Sequence, residues 1–583
     1  MPLNPVMNKL LFTLFLAFLM CNCSTRTDQS NASLGLEKKW WKEAIIYQIY
    51  PRSFKDTNGD GIGDLKGLIE RLDYIKSLGV TAVWLNPIYN SPNADNGYDV
   101  SDYRNIMTEF GTMEDFDLML KGLHERGIKL VMDVVVNHSS DEHEWFKQSR
   151  SSRDSPYRDY YHWWPAEKGK PNYRYSLFDE KGDAWKYDAP TNSYYLHYFS
   201  EKQPDLNWEN PKLRQEVYDI MKFWAEKGVD GFRLDAFQFA AKDTTFPALP
   251  ADLEKNFIQY YAMQGNLHSY LKEMNIEVFR QYPVMSVAEG AGRNFEDAHN
   301  LVDEDREELN MAYAFECVDI AKPEGYSLVH FKEAFSRWDK EFAKKGWLSI
   351  FLANHDQARL VSRFGNDLPE HRDASATMLN TFLLSMRGTP YCYYGDELGM
   401  TNIRFETIEE YQDIAAINGY KKIMNSGGDV GSYLNNLKFS SRDNGRTPMQ
   451  WDTTKNAGFT GGKPWLPVNA NCQQINVMLE ERNPRSVLNH FRKMVNLRKN
   501  NDVLVYGDYK VIELEHPNIY AYVRTLGPRK MMVLLNFTAN KSSIETPDAV
   551  VIGEVLINNF ETVDVEKNKI FLKPYQAVIF SMD

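Results

Sequence analysis

GFRLDA (231–236), VAEG (287–290) and FLANHDQ (351–357) share one design: an apolar run followed closely by a carboxylate. Each run reads as a short buried strand, and the acids delivered at the strand ends are Asp235, Glu289 and Asp356. An α/β barrel builds its active site on the loops at the carboxyl edge of its parallel strands, so acids in this position converge on one mouth. A single acid after a strand is most simply a helix cap or a salt-bridge partner. Three in the same position, with Arg233 and His355 close by, point instead to acid/base and nucleophilic work on a bond such as a glycosidic one.

The surrounding chain supports a barrel. AIIYQIY (44–50), TAVWL (81–85) and KLVMDVVV (129–136) are further strands. Between them Leu65, Leu68, Ile69, Leu72 and Ile75, then Phe116, Met119, Leu120 and Leu123, recur at helical spacing. VMSVAE (284–289), a weaker AYAFECV (312–318), LSIFLA (348–353) and TPYCYY (389–394) follow, which with GFRLD makes eight strands. Repeated βαβα order predicts a parallel sheet with helices outside, here a (β/α)8 TIM barrel. The alternation breaks between His138 and Asp205, a stretch rich in Tyr, Trp, Asp and Ser and too long for a simple connection. From Asp502 the pattern becomes β-like, as in YAYVRT (520–525), MMVLLNF (531–537) and AVVIGEVLI (549–557). The predicted organisation is a barrel over 38–138 and 206–501, an inserted domain over 139–205 and a C-terminal β-sandwich over 502–583.

A chain of 583 residues exceeds one core, consistent with several domains. The net charge of −13 argues against nucleic acid and anionic membrane surfaces as partners. Cys317, Cys392 and Cys472 have neither metal nor disulfide spacing, and the first two are expected as small hydrophobes inside barrel strands. At the N-terminus, Lys9 precedes an apolar run over 10–20 that is too short to span a bilayer. Met20-Cys21-Asn22-Cys23 follows in place of an ordinary cleavage site and is similar to a bacterial lipobox, with Cys23 the better lipidation candidate. Residues 1–23 are thus expected to be a lipoprotein-type signal peptide and 24–37 a polar linker. That predicts an exported protein, periplasmic or anchored to a membrane through its lipid; ordinary secretion is the alternative.

DTNGDGIGD (56–64) sets oxygen donors at alternate positions: Asp56, Asn58, Asp60, the Ile62 carbonyl and Asp64. Such hard ligands suit Ca²⁺, with Mg²⁺ as the alternative, although the loop lacks the closing Glu of an EF-hand. An Asp/Gly turn capping the next helix is the competing reading.

DVVVNH (133–138), GFRLDA, VAEG and NHDQ (354–357) resemble, in order and spacing, the four motifs of the α-amylase family, glycoside hydrolase family 13. QPDLNW (203–208) and RDNGRTPMQWD (442–452) resemble its oligo-1,6-glucosidase and α-glucosidase branch. The resemblance runs from Trp40 to the C-terminus and implies a barrel with an inserted B domain and a C-terminal β domain. It implies Asp235 as nucleophile, Glu289 as general acid/base and Asp356 as the acid that holds sugar hydroxyls. It implies that His138 and His355 bind the non-reducing glucose and that Asp95, Tyr98 and Arg442 close off that subsite, permitting only exo-attack. Arg233, two residues before Asp235 on the same strand face, is expected to keep it ionised and oriented. A structural metal in the 56–64 loop is implied as well.

Two positions depart from the branch. Ala236 follows the nucleophile where α-1,6-cleaving relatives usually have Val, and Gly290 follows Glu289 where they commonly have Met. A methyl-scale change shifts discrimination by only about 1–3 kcal/mol, so linkage choice is biased, not dictated. The leading expectation is a retaining exo-α-glucosidase on short α-1,4- or α-1,6-linked gluco-oligosaccharides. The rivals are a glucosyl-transferring or isomerising relative, such as a trehalose synthase or sucrose isomerase, and a non-enzymatic transporter heavy chain. The last is disfavoured by the short apolar run and the presence of all three acids.

Overall fold

The computed structural model describes residues 36–545 and 552–582; the expected signal peptide, with Cys21 and Cys23, lies outside them. Eight parallel strands close into a barrel: β1 (Ile46–Ile49), β2 (Ala82–Leu85), β3 (Lys129–Val135), β4 (Gly231–Asp235), β5 (Met285–Ala288), β6 (Met311–Tyr313), β7 (Leu348–Ile350) and β8 (Thr389–Tyr393). Each pairs with its sequence neighbour, and β8 returns to β1. These strands are buried on both faces, which is why they read as continuous apolar runs and not as alternating ones. Among the described residues no helix is long and apolar enough to cross a membrane.

Three boundaries differ from the sequence reading. β7 stops at Ile350, because residues 351–353 pack as buried apolar side chains without continuing the ladder. Asp356 therefore sits six positions beyond the strand, in a turn where the Asn354 side chain accepts the Asp356 N–H at 2.8 Å. β6 is short, and Cys317 closes a 3-10 turn after it, so Cys317 is buried but not a strand residue; Cys392 does lie in β8. The helix after β1 is two, Leu65–Glu70 and Leu72–Leu78, broken at Arg71, whose guanidinium lies 4.3 Å from the Trp451 ring centroid.

The insertion after β3 carries a three-stranded antiparallel sheet, with Ser193–Leu196 between Trp163–Pro165 and Trp185–Asp188. Bridges from His138 to Asp205 and from Tyr161 to Leu206 stitch its return to the barrel mouth. At the other end a short helix, Asp502–Tyr506, precedes the first C-terminal strand, Asp508–Ile512. Sheets of five and three strands then pack face to face. Alternation along Ile519–Leu526 sends Ile519 and Ala521 into the core between the sheets and Tyr520 and Tyr522 into the barrel core. Buried Lys332 fastens this contact by donating to the carbonyls of Glu513, His516 and Ile519 at 3.2, 2.7 and 3.3 Å.

Candidate active site

The barrel register assembles the centre. Pairing of β3 with β4 sets Asp133 opposite Arg233, and pairing of β4 with β5 sets Arg233 opposite Val287, two residues before Glu289. Arg233 is fully buried and its Nη1 donates to Asp133 Oδ1 and to Asp235 Oδ1, each at 2.6 Å. Its Nη2 pairs with Glu289 Oε1. Asp235 ends β4, and Ala236 then turns through the left-handed region, φ 48°, aiming its N–H at Glu289 Oε2 at 2.7 Å. One guanidinium thus grips both the predicted nucleophile and the predicted acid/base.

Three carboxylates around one cation cannot all ionise cheaply. Burial, then the adjacent Glu289, push Asp235 well above the ordinary carboxylate range; Arg233 opposes this, while Asp133 and Asp356 add to it. Arg233 therefore orients Asp235 as expected, but its charge works against burial and the neighbouring carboxylates and does not by itself settle the ionisation of Asp235. A pair with one ionised and one protonated member is what nucleophilic attack with concerted protonation needs.

Asp356 is the contrasting acid. Burial opposes its charge, but the hydrogen bond from His355 and the charges of Arg442 and Arg446 outweigh it and hold the carboxyl well below its usual range. Arg442 Nη1 and Arg446 Nη2 each lie 3.1 Å from Asp356 Oδ1. Asp356 stays ionised, suited to accepting sugar hydroxyls and stabilising positive charge nearby.

The six predicted binding residues surround these acids. Arg442 Nη2 reaches Asp95 Oδ1 at 3.3 Å and also pairs with Asp413. Asp95 Oδ2 accepts from Gln203 Nε2 at 3.1 Å, and the same amide lies 3.1 Å from His138 Nε2. The Tyr98 hydroxyl sits 2.6 Å from His355 Nε2, with the rings stacked at 5.2 Å. Gln48 Nε2 holds His355 Nδ1 at 2.9 Å. Burial lowers both imidazoles, His138 to about 3, so each is a neutral hydrogen-bonding group at working pH.

Asp133, Gln203 and Arg446, which stand inside the motifs quoted above, and Gln48 join the site without being marked by the sequence as site residues. Asp413, which no local pattern marks, joins it as well. On the far side of Glu289 and Ala236 a cavity of about 770 Å³ opens, walled by Phe199, Phe239, Phe257 and Phe295.

Among the described residues, none of those in the 56–64 loop hydrogen-bonds to the residues of this site. Asp56 accepts the N–H groups of Asn58, Gly59 and Gly61 at 2.8–2.9 Å, Asp60 accepts that of Ile62 at 2.8 Å, and Asp64 caps the next helix through Gly67 N–H at 2.7 Å. Of the two readings of the loop, the helix cap is what Asp64 displays. The described residues hold no cluster of three or more His, Cys, Asp or Glu gathered for a metal, so a shell here would need Asn58, the Ile62 carbonyl and water as well.

A closed parallel barrel with paired carboxylates on one arginine and a third acid opposite defines a carboxylate-dependent glycosidase. Residues 48–507 match the family model described as "Alpha amylase, catalytic domain", and 519–579 that of the "Alpha-amylase SusG C-terminal domain". The chain is 49% identical to an oligo-1,6-glucosidase of Bacillus cereus, covering 94% of this chain and 100% of that one. It is 42% identical to a trehalose-6-phosphate hydrolase of Bacillus subtilis, with 93% and 98% covered. Among solved structures it is similar to the trehalulose synthase of Pseudomonas mesoacidophila MX-45, with TM-score 0.91 and 44% identity over 94% of this chain and 100% of that one. The chain belongs to the α-amylase family, in its oligo-1,6-glucosidase and α-glucosidase branch, and is a glycoside hydrolase.

Proposed function

We propose that this enzyme is a retaining, exo-acting α-glucosidase that releases glucose from the non-reducing end of short α-gluco-oligosaccharides. The observation that carries the reading is the shared grip of Arg233 on Asp235 and Glu289. It keeps the two acids close, as double displacement requires at about 5–5.5 Å, whereas inversion needs a wider gap that admits water. Asp235 attacks the anomeric carbon as Glu289 gives its proton to the leaving oxygen. Glu289, now ionised, takes a proton from water, which displaces Asp235 and leaves the α-configured sugar. Neutral His138 and His355, with Asp356, hold the glucose hydroxyls. The ion pairs of Arg442 with Asp95, Asp356 and Asp413 support the exo mode, because they wall the pocket beyond a single residue.

Ala236 and Gly290, opening onto the 770 Å³ cavity, favour acceptance of both α-1,4 and α-1,6 aglycones. An isomerising or transferring reading is favoured by the likeness to trehalulose and isomaltulose synthases. Incubation with maltose, isomaltose, trehalose and sucrose separates the two. Free glucose appearing first as the α-anomer is expected; conversion of one disaccharide into another with little glucose would refute hydrolysis.

Two further readings belong to this proposal. The 56–64 loop binds a structural Ca²⁺, or Mg²⁺: its three aspartates have no cationic partner among the described residues, and a bound ion would take over carboxylate oxygens that now accept the loop's own N–H groups. When bound, the ion would neutralise the loop's charge. The protein is exported and held in the periplasm or on a membrane by a lipid on Cys23, which rests on the leader pattern alone.

A further inference from the structure

Arg442 is held by two stretches of chain that are remote in sequence. Beyond its pairs with Asp95 and Asp356, its Nε donates to Asp413 Oδ1 at 3.0 Å. Asp413 is also the N-cap of the helix Ile414–Asn425, accepting Ala415 N–H at 3.0 Å. On another side the ring of Phe178, from the insertion after β3, has its centroid 4.9 Å from the guanidinium, within cation–π range. Further along the same helix, Asn418 Nδ2 donates to the Phe178 carbonyl at 2.8 Å. A closed circuit of contacts thus runs from Arg442 through Asp413 and the helix to Asn418, across to Phe178, and back to Arg442.

Little else fixes this helix. Ala416 is its one buried residue, and it packs in a small cluster with Phe405, Tyr411, Leu437 and Leu466 that is separate from the barrel core. Segments with few buried apolar contacts open at low cost, so their polar ties decide where they sit. Lys422 adds only a long, exposed pair with Glu254 at 3.5 Å, and pairs of that kind contribute little. Asn418 is half-buried and bonds a backbone carbonyl, so its tie is the more directional one. Phe178 and Asn418 also line a cleft of about 500 Å³, so the two residues form a thin wall between that cleft and Arg442.

We infer that Asn418 is a positioning residue: its bond to the Phe178 carbonyl holds the Phe178 ring against Arg442 and so keeps the glucose pocket shut at its blind end. The inference rests on the exo-α-glucosidase reading and deepens it. Its test compares Asn418→Ala, Phe178→Leu and the double variant with the unaltered enzyme, in hydrolysis of maltose and in inhibition by glucose. Asn418→Ala is expected to raise KM for maltose and Ki for glucose together by about 3–10-fold, the worth of one neutral hydrogen bond. The kcat is expected to stay within about twofold, because the grip on the terminal glucose is common to ground and transition states. Ala suits a helix better than Asn, which offsets part of the lost bond, so the melting temperature is expected to stay within about 2 °C. Once Phe178 is replaced, the ring that Asn418 positions is gone, and adding Asn418→Ala should change either constant by less than about twofold. Unmoved constants, a fall in kcat at unchanged KM, a rise in KM with an unmoved Ki, a clearly lowered melting temperature, or losses that multiply in the double variant would overturn the inference while leaving the hydrolase reading intact. Failure of the unaltered enzyme to release glucose from either maltose or isomaltose would overturn both.

Discussion

Neutralising Asp133 should move the acid limb of the rate profile. This residue is fully buried, and its Oδ1 lies 2.6 Å from the same Arg233 nitrogen that binds Asp235 Oδ1. The two oxygens are therefore within about 5 Å of each other, and at an effective dielectric of ~20 two unit charges at that distance repel by about 3 kcal/mol. Divided by 1.36 kcal/mol per unit, this corresponds to roughly two pH units. The sign follows from charge: Asp133 raises Asp235, so Asp133→Asn lowers it. Arg233, released from one partner, then bears more strongly on Asp235, which acts in the same direction. The nucleophile must be ionised in the free enzyme, so the acid limb of kcat/KM should move down by about one to two units. The assay is the pH profile of kcat/KM on phenyl α-glucoside from pH 3.5 to 8, for parent and variant. An acid limb that stays in place, or moves to higher pH, would refute the shared-guanidinium account of the charge balance.

Arg442→Met strips Asp95, Asp356 and Asp413 of their common cation, and leaving buried charge unpaired is severe, about 3–5 kcal/mol. Steady-state kinetics on maltose should show kcat/KM reduced by at least about 100-fold, chiefly through KM. Dialysis against EDTA should lower the melting temperature while leaving kcat at 25 °C unchanged, and added Ca²⁺ should restore it, a ligand at a hundredfold excess over Kd contributing about 2.7 kcal/mol. Asp60→Ala should abolish that response in scanning calorimetry. Cys23→Ser should shift the protein from the detergent phase to the aqueous phase on Triton X-114 partition.

Strand and helix periodicities, the break after His138 and the β-like C-terminal run are local patterns, each legible in consecutive residues. So are Asp235, Glu289 and Asp356, because an apolar run ending in an acid is written in consecutive residues. Tertiary structure was needed wherever residues distant in the chain meet. Asp133 becomes part of the charge balance only because the β3–β4 register sets it opposite Arg233. Asp413 matters because one loop folds over the mouth to meet Arg442, and no nearby residue announces it. Gly290 looks like lost bulk until the fold lays the Gln238 amide against it. Arg233 beside Asp235 suggests an ionised nucleophile until Glu289 and Asp133 are found on the same guanidinium. Periodicity encodes which face of an element is buried, and that is enough to build a barrel. Protonation depends on charges brought within a few ångströms by register and loop closure, and those contacts exist only once the barrel has closed.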